Sequence, residues 1–99
     1  DEYQSFLVEQ KDHLVVVLFT ATWCGPCKMI GPYFEELSRK PENSDVIFGQ
    51  TDVDDAADIS EAYNIDCMPT FVFFKKAKEV DRFSGANVET LREKISEYR

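Results

Sequence analysis

The chain has no long apolar run, no excess of basic residues and little cysteine, glycine or proline. Its longest uninterrupted apolar run, Leu14 to Phe19, is far too short to cross a bilayer and fits a buried strand instead. Four Gly and four Pro among 99 residues exclude a low-complexity or collagen-like chain. Three cysteines are an odd number in a chain large enough to bury a core unaided. That argues against a framework of structural disulfides and for reduced or catalytic thiols, so a reducing compartment, the cytoplasm, is expected. Eleven Lys and Arg face nineteen Asp and Glu, a net charge of −8. The resulting field repels phosphate backbones and anionic membranes, so neither nucleic acid nor a membrane is an expected partner. Asp1-Glu2-Tyr3-Gln4 shows neither the basic region nor the apolar core of a signal peptide, and without an initiator Met a trimmed N-terminus is expected. With 43% hydrophobic and 30% charged residues, the composition is that of a soluble globular protein, and one domain over residues 1–99 is expected.

Apolar periodicity organises the chain into αβαβαββα. Tyr3, Phe6 and Leu7 have helical spacing in a first helix ending near Asp12. A buried strand follows at Leu14–Phe19. Met29, Ile30, Tyr33, Phe34 and Leu37 recur at the steps of a core-facing helix that Pro32 should kink and Lys40 to Ser44 should close. Val46 to Val53 reads as a second strand. Asp54 or Asp55 is then expected to cap a helix through Tyr63 that presents Ile59, Ala62 and Tyr63 to the core. Thr70–Phe74 and Glu79–Ser84 read as a hairpin turned by Lys75 to Lys78, and Asn87 should cap a last helix with Val88, Leu91, Ile95 and Tyr98 inward. The fold class is α/β, a mixed sheet of four strands flanked by four helices.

The chemistry sits in Cys24-Gly25-Pro26-Cys27, between a buried strand and an amphipathic helix. Side chains three residues apart on a helix are neighbours, so the two sulfurs can form and break a disulfide without moving the backbone. Unpaired N–H groups and the positive end of the helix dipole favour a thiolate at Cys24, which is expected to expose its sulfur and act as nucleophile. Cys27, one turn inside, is expected to be more buried and to wait as the resolving thiol. Two cysteines at this spacing could also be half of a zinc site, but only Cys67 and His13 remain as Cys or His ligands and neither has the spacing. No metal is expected. Asp52, Asp54, Asp55 and Asp58 lack the spacing and glycine of a calcium loop and read as capping residues on a solvated face.

Ala21-Thr22-Trp23-Cys24-Gly25-Pro26-Cys27-Lys28 resembles the active-site signature of the thioredoxin family. Pro32, Asp52-Val53-Asp54, Met68-Pro69-Thr70, Phe73-Phe74-Lys75-Lys76 and Phe83-Ser84-Gly85-Ala86 extend the likeness, which is closest to the animal cytosolic members. The resemblance implies a thioredoxin fold and a thiol-disulfide oxidoreductase, an electron carrier in cell redox homeostasis that reduces protein disulfides through a mixed disulfide. It implies no bound cofactor, since NADPH enters only through a thioredoxin reductase. Pro69 is expected to be cis and to pack against the sulfurs, with backbone groups around Met68 free for substrate. Trp23, Gly25, Pro26, Val53, Met68, Pro69, Gly85 and Ala86 match the family's apolar docking surface. Cys67 matches a position that can link two molecules of an otherwise monomeric protein.

The sequence departs from the family in four places. Leu18 stands six residues before Cys24, where the family usually has a buried aspartate as proton acceptor, and Gln50, which cannot act as a base, stands at the position of that aspartate's usual polar or charged companion. Leucine avoids the desolvation of a buried carboxylate and should stabilise the fold. No counterpart of the family's first strand precedes Asp1, so the strand from Val46 should present an unpaired edge. Ala77 replaces a common glycine in the hairpin, which makes a positive φ costly there, so a looser turn or one of another type is expected. Two rival readings are a binding module with an inert site, favoured by Leu18 alone, and a secretory oxidant or isomerase, whose relatives usually carry histidine at the position of Pro26.

Overall fold

The computed structural model describes residues 2–99, with side chains from Gln4 onward; the inward position expected of Tyr3 lies outside the described side chains. The helices are α1 (Glu2–Glu9), α2 (Gly25–Ser38), α3 (Ala57–Ala62) and α4 (Val88–Tyr98), with a short 3-10 turn at Pro41–Asn43. The strands are β1 (Val15–Thr20), β2 (Ile47–Asp52), β3 (Thr70–Lys75) and β4 (Lys78–Ser84), in spatial order β2-β1-β3-β4. β1 runs parallel to β2 and antiparallel to β3, and β4 completes a hairpin with β3. Strand β2 stands at one edge of the sheet formed by the described residues.

Strand β1 is apolar from Val15 to Phe19 because both its faces are covered there. Leu14, Val16 and Leu18 pack with Phe71 and Phe73 of β3 and with Ile30, Phe34, Leu37, Leu91 and Ile95 of α2 and α4. Val15, Val17 and Phe19 turn to the opposite face, where Val72 and Phe74 join Leu7 of α1, Ile59 of α3 and Tyr63 at the C-cap of α3. Alternation along a strand thus divides one hydrophobic run between two cores. Phe71 and Phe83 stack at 4.9 Å between centroids, which ties edge strand β4 to the first core.

Several local expectations need correction. Met29 and Tyr33 are exposed at 59% and 50%, so the buried stripe of α2 is Cys27, Ile30, Phe34 and Leu37. Helix α2 is unbroken at Pro32 and ends at Ser38, just ahead of the cluster expected to close it. Ala62 is exposed and Ser60 is buried instead, its hydroxyl donating to the carbonyls of Ala56 and Ala57. Neither Asp54 nor Asp55 caps α3, whose N-cap is Ala56 with no side-chain bond. Asp52 organises that turn: its Oδ1 accepts the Asp54 N–H at 2.8 Å, and its carbonyl accepts the N–H groups of Asp55 and Ala56. Asn87 does cap α4, accepting the Thr90 N–H at 3.0 Å.

The β3–β4 hairpin closes through a two-residue loop, with Lys75 paired to Lys78 and positive φ at Lys76 (54°) and Ala77 (66°). Ala77 adopts the left-handed conformation after all, because a two-residue turn matches the strand twist only with both residues there. Ala77→Gly removes that cost, and we expect a gain of about 1 kcal/mol, read as a higher urea midpoint.

Asp81 of β4 joins the sheet to α4. Its Oδ2 accepts from Lys94 Nζ at 2.6 Å and from Tyr98 Oη at 2.9 Å. The Lys94 bond, aided by those of Tyr98 and the Arg82 N–H, holds the Asp81 carboxyl below its usual pKa against the opposing effect of burial. A depressed carboxylate stabilises the fold above the unfolded-state pKa, and the contribution disappears as pH falls through the folded value. Asp81→Asn is therefore expected to cost about 1 kcal/mol near neutral pH. Its deficit against the parent should shrink steadily in urea titrations carried down through the acid range.

Candidate active site

Strand β1 ends at Thr20, and a four-residue connection delivers Cys24 to the start of α2. Cys24 is the N-cap, in extended conformation at φ −92° and ψ 113°, and its Sγ accepts the Cys27 N–H at 3.2 Å. The sulfur thus takes the place that an N-cap serine or aspartate oxygen usually fills. Pro26 in the first turn spares a donor that would have no partner there, and no acidic residue in that turn offsets the dipole. A thiolate at Cys24 would therefore receive an N–H bond and a favourable field.

Cys24 and Cys27 are joined as a disulfide, with Cα atoms 5.3 Å apart, inside the range such a bond requires. Both are buried, at 6% and 3% exposure, which corrects the expectation that Cys24 exposes its sulfur. Ala21, Val53 and Met68 close over the pair and form one apolar cluster with it. Trp23 does not join this cluster: it is 65% exposed and its indole Nε1 donates to Asp54 Oδ2 at 2.9 Å. That bond spans 31 residues, and no sequence pattern pointed to Asp54 as its partner.

The loop before β3 comes to the same end of the sheet. The Met68–Pro69 peptide is cis, as the resemblance implied, and Pro69 is buried. The Pro69 carbonyl accepts the Gly85 N–H at 2.9 Å, and Gly85 has φ 103°, a conformation open to glycine at no steric cost. Thr70 and Ser84, neither singled out by sequence, hold the loop from behind. Thr70 Oγ1 donates to the Cys67 carbonyl at 2.6 Å and lies 2.9 Å from Ser84 Oγ. Cys67 is exposed, with its thiol donating to Ser84 Oγ at 3.2 Å. Gly25, Pro26 and Gly85 are exposed and Val53, Met68 and Ala86 are half-buried, which leaves a surface around the disulfide.

The remaining candidates lie elsewhere. His13 pairs its Nδ1 with the Asp45 carbonyl at 2.8 Å, between β1 and β2 at the far end of the strands. Among the described residues, no group of three or more His, Cys, Asp or Glu could hold a metal ion. Leu18 is buried at 1% exposure in the first core, and its register partner Gln50 is exposed.

The Thioredoxin family profile matches residues 1–97. The chain is 52% identical over 97 residues to a thioredoxin from Ictalurus punctatus, covering 98% of this chain and 91% of that one. It is 54% identical over 95 residues to a thioredoxin from Homo sapiens, covering 96% and 89%. Among solved structures, a Fasciola hepatica thioredoxin superposes with a TM-score of 0.94 at 45% identity, covering 99% of this chain and 92% of that one. A Schistosoma mansoni thioredoxin gives 0.91 at 42% identity, covering 99% and 88%.

Because Leu18 lies in a dry core, Leu18→Asp places a carboxyl where burial raises its pKa. The raised value makes the penalty smallest at acid pH, where both states are protonated, and largest near neutrality. We expect a loss of about 3 kcal/mol near pH 7 that diminishes as pH falls toward the unfolded-state carboxyl pKa and levels off below it, measured as urea midpoints across pH.

Proposed function

The chain belongs to the thioredoxin family, whose members are thiol-disulfide oxidoreductases recharged by thioredoxin reductase, and on that premise we propose that Cys24 attacks protein disulfides and Cys27 resolves the mixed disulfide. As a family, thioredoxins act on protein disulfides and need no bound cofactor.

The observation that carries the assignment is the bond from the Cys27 N–H to Cys24 Sγ at the mouth of α2. A sulfur held there ionises more readily than one inside the helix, and the thiolate is the form that attacks. In the reaction, Cys24 thiolate displaces one sulfur of the substrate and forms a mixed disulfide. Cys27 then loses its proton and attacks Cys24 Sγ, the substrate leaves as its second thiolate, and the protein ends oxidised. Two electrons move from the dithiol to the substrate. Trp23, Val53, Met68, Pro69, Gly85 and Ala86 form the docking face, with Gly25 and Pro26 at its rim. The backbone around Met68, just before the cis bond to Pro69, is where an extended substrate would pair.

Residues 1–99 act as one domain in this reading. No described helix is long and apolar enough to cross a membrane. The reducing chemistry fits the cytoplasm, and the net charge of −8 disfavours nucleic acid. The protein works mainly as a monomer, and exposed Cys67 is placed to link two copies when the surroundings are oxidising.

Insulin reduction with dithiol as electron donor tests these roles. Cys24→Ser should abolish catalysis, whereas Cys27→Ser should retain the first attack and accumulate mixed disulfides visible on non-reducing gels. Equal behaviour of the two variants would contradict the assignment, and an inactive parent would favour a binding module.

A further inference from the structure

Leu18 leaves the resolving thiol without an ionisable group behind it in β1, so its proton needs another route. The register of the sheet shows one. β1 and β2 are parallel, with Leu18 beside Gln50 and Thr20 beside Asp52. Paired residues in a parallel ladder project to the same face, and residues two apart on one strand share a face. Leu18 belongs to the core beneath α2, so Thr20, Gln50 and Asp52 face the side from which α2 presents Cys27. An open groove of about 680 Å³ occupies that place, lined by Thr20, Thr22, Cys27, Gln50, Asp52 and Asp55, with Lys28 of α2 at its wall.

We infer that the proton released by Cys27 leaves through water in this groove to the carboxylate of Asp52. The inference rests on the resolving role proposed for Cys27. Asp52 Oδ1 is engaged by the Asp54 N–H, and its second oxygen remains to receive a water. The charged groups lining the groove are Lys28, Asp52 and Asp55; β1 contributes none. Asp55 sits in the turn beyond the strand, outside the register that aligns Asp52 with Thr20. In the step itself, the Cys27 S–H bond breaks, its electron pair forms the bond to Cys24 Sγ, and the bond from Cys24 to the substrate sulfur breaks. The substrate departs with that pair, and the Cys27 proton passes through water to Asp52. Asp52 is thus a positioning residue that acts through the groove water rather than by contact with the sulfur.

The test is a stopped-flow reaction of the reduced protein with a nitrobenzoate disulfide, whose thiolate product is coloured. Cys24 releases the first thiolate in a phase that depends on reagent concentration, and Cys27 releases the second in a phase that does not. Asp52→Asn keeps an oxygen for the Asp54 N–H and so preserves the turn. It should leave the first phase unchanged and slow the second roughly tenfold near pH 7, within the span of general-base assistance. The deficit should narrow as pH rises, because hydroxide then takes the Cys27 proton without help from Asp52. Asp55→Asn should resolve at the parental rate. A second phase unchanged in Asp52→Asn, slowed equally at every pH, or slowed as much by Asp55→Asn would overturn the inference while leaving the cysteine roles intact. A parent that shows no second phase removes the resolving role and the inference together.

Discussion

Burial of β1 on both faces is the constraint from which the site follows. A strand covered by α1 and α3 on one side and α2 and α4 on the other has no freedom to slide, since a shift of one residue would exchange the two cores. Its end at Thr20 is therefore fixed, and with it the start of α2 five residues later. The N-cap position of Cys24 is set by the packing of Val16 and Leu18 against Ile30 and Phe34, which lie outside the redox chemistry. The sulfur inherits both its bond from the Cys27 N–H and the field of the helix from that placement.

The second half of the site is fixed in a complementary way. β3 pairs with β1 in antiparallel register, Phe19 against Thr70, which brings the residues just before Thr70 to the end of the sheet where α2 begins. Hydrogen bonds from Thr70 to the Cys67 carbonyl and from Gly85 to the Pro69 carbonyl then hold the loop on the strand that follows it and on the corner after β4. Met68 and Val53 reach the disulfide from two different connections, so the apolar rim is assembled from parts of the chain far apart in sequence. Trp23 is held outward by Asp54 and stays available for contact with a partner, a use to which tryptophan is well suited.

Leu18 separates two demands that a buried carboxylate would combine. In the core it adds apolar contact at no desolvation cost, while the carboxylates of this end of the molecule stand at the edge of the sheet, on Asp52 and the turn that follows. Asp52 of β2 and Cys27 of α2 line one groove at this end of the sheet.

By itself the sequence determined the elements and the reactive pair. Hydrophobic periodicity separated strands from helices, since a strand buried on both faces reads as the run Val15–Phe19 and a helix as Ile30, Phe34 and Leu37. Cys24 and Cys27 were legible because their spacing and their place at a strand-helix junction are local properties, and Asn87 because a cap acts within one turn. Periodicity could not tell that Met29 and Tyr33 face solvent, because two helices share that face of the sheet and only their packing sets how wide the buried stripe is. It also misplaced the cap of α3, where Asp52 bonds its own turn and leaves Ala56 at the N-cap, and it missed the positive φ of Ala77, which the tight pairing of Lys75 with Lys78 imposes. Only the tertiary structure decided that both sulfurs are covered, that Trp23 meets Asp54, and that Asp52 and Cys27 share a groove. Each of these joins residues through the register of the sheet, and register is set by the whole packed core rather than by neighbours along the chain.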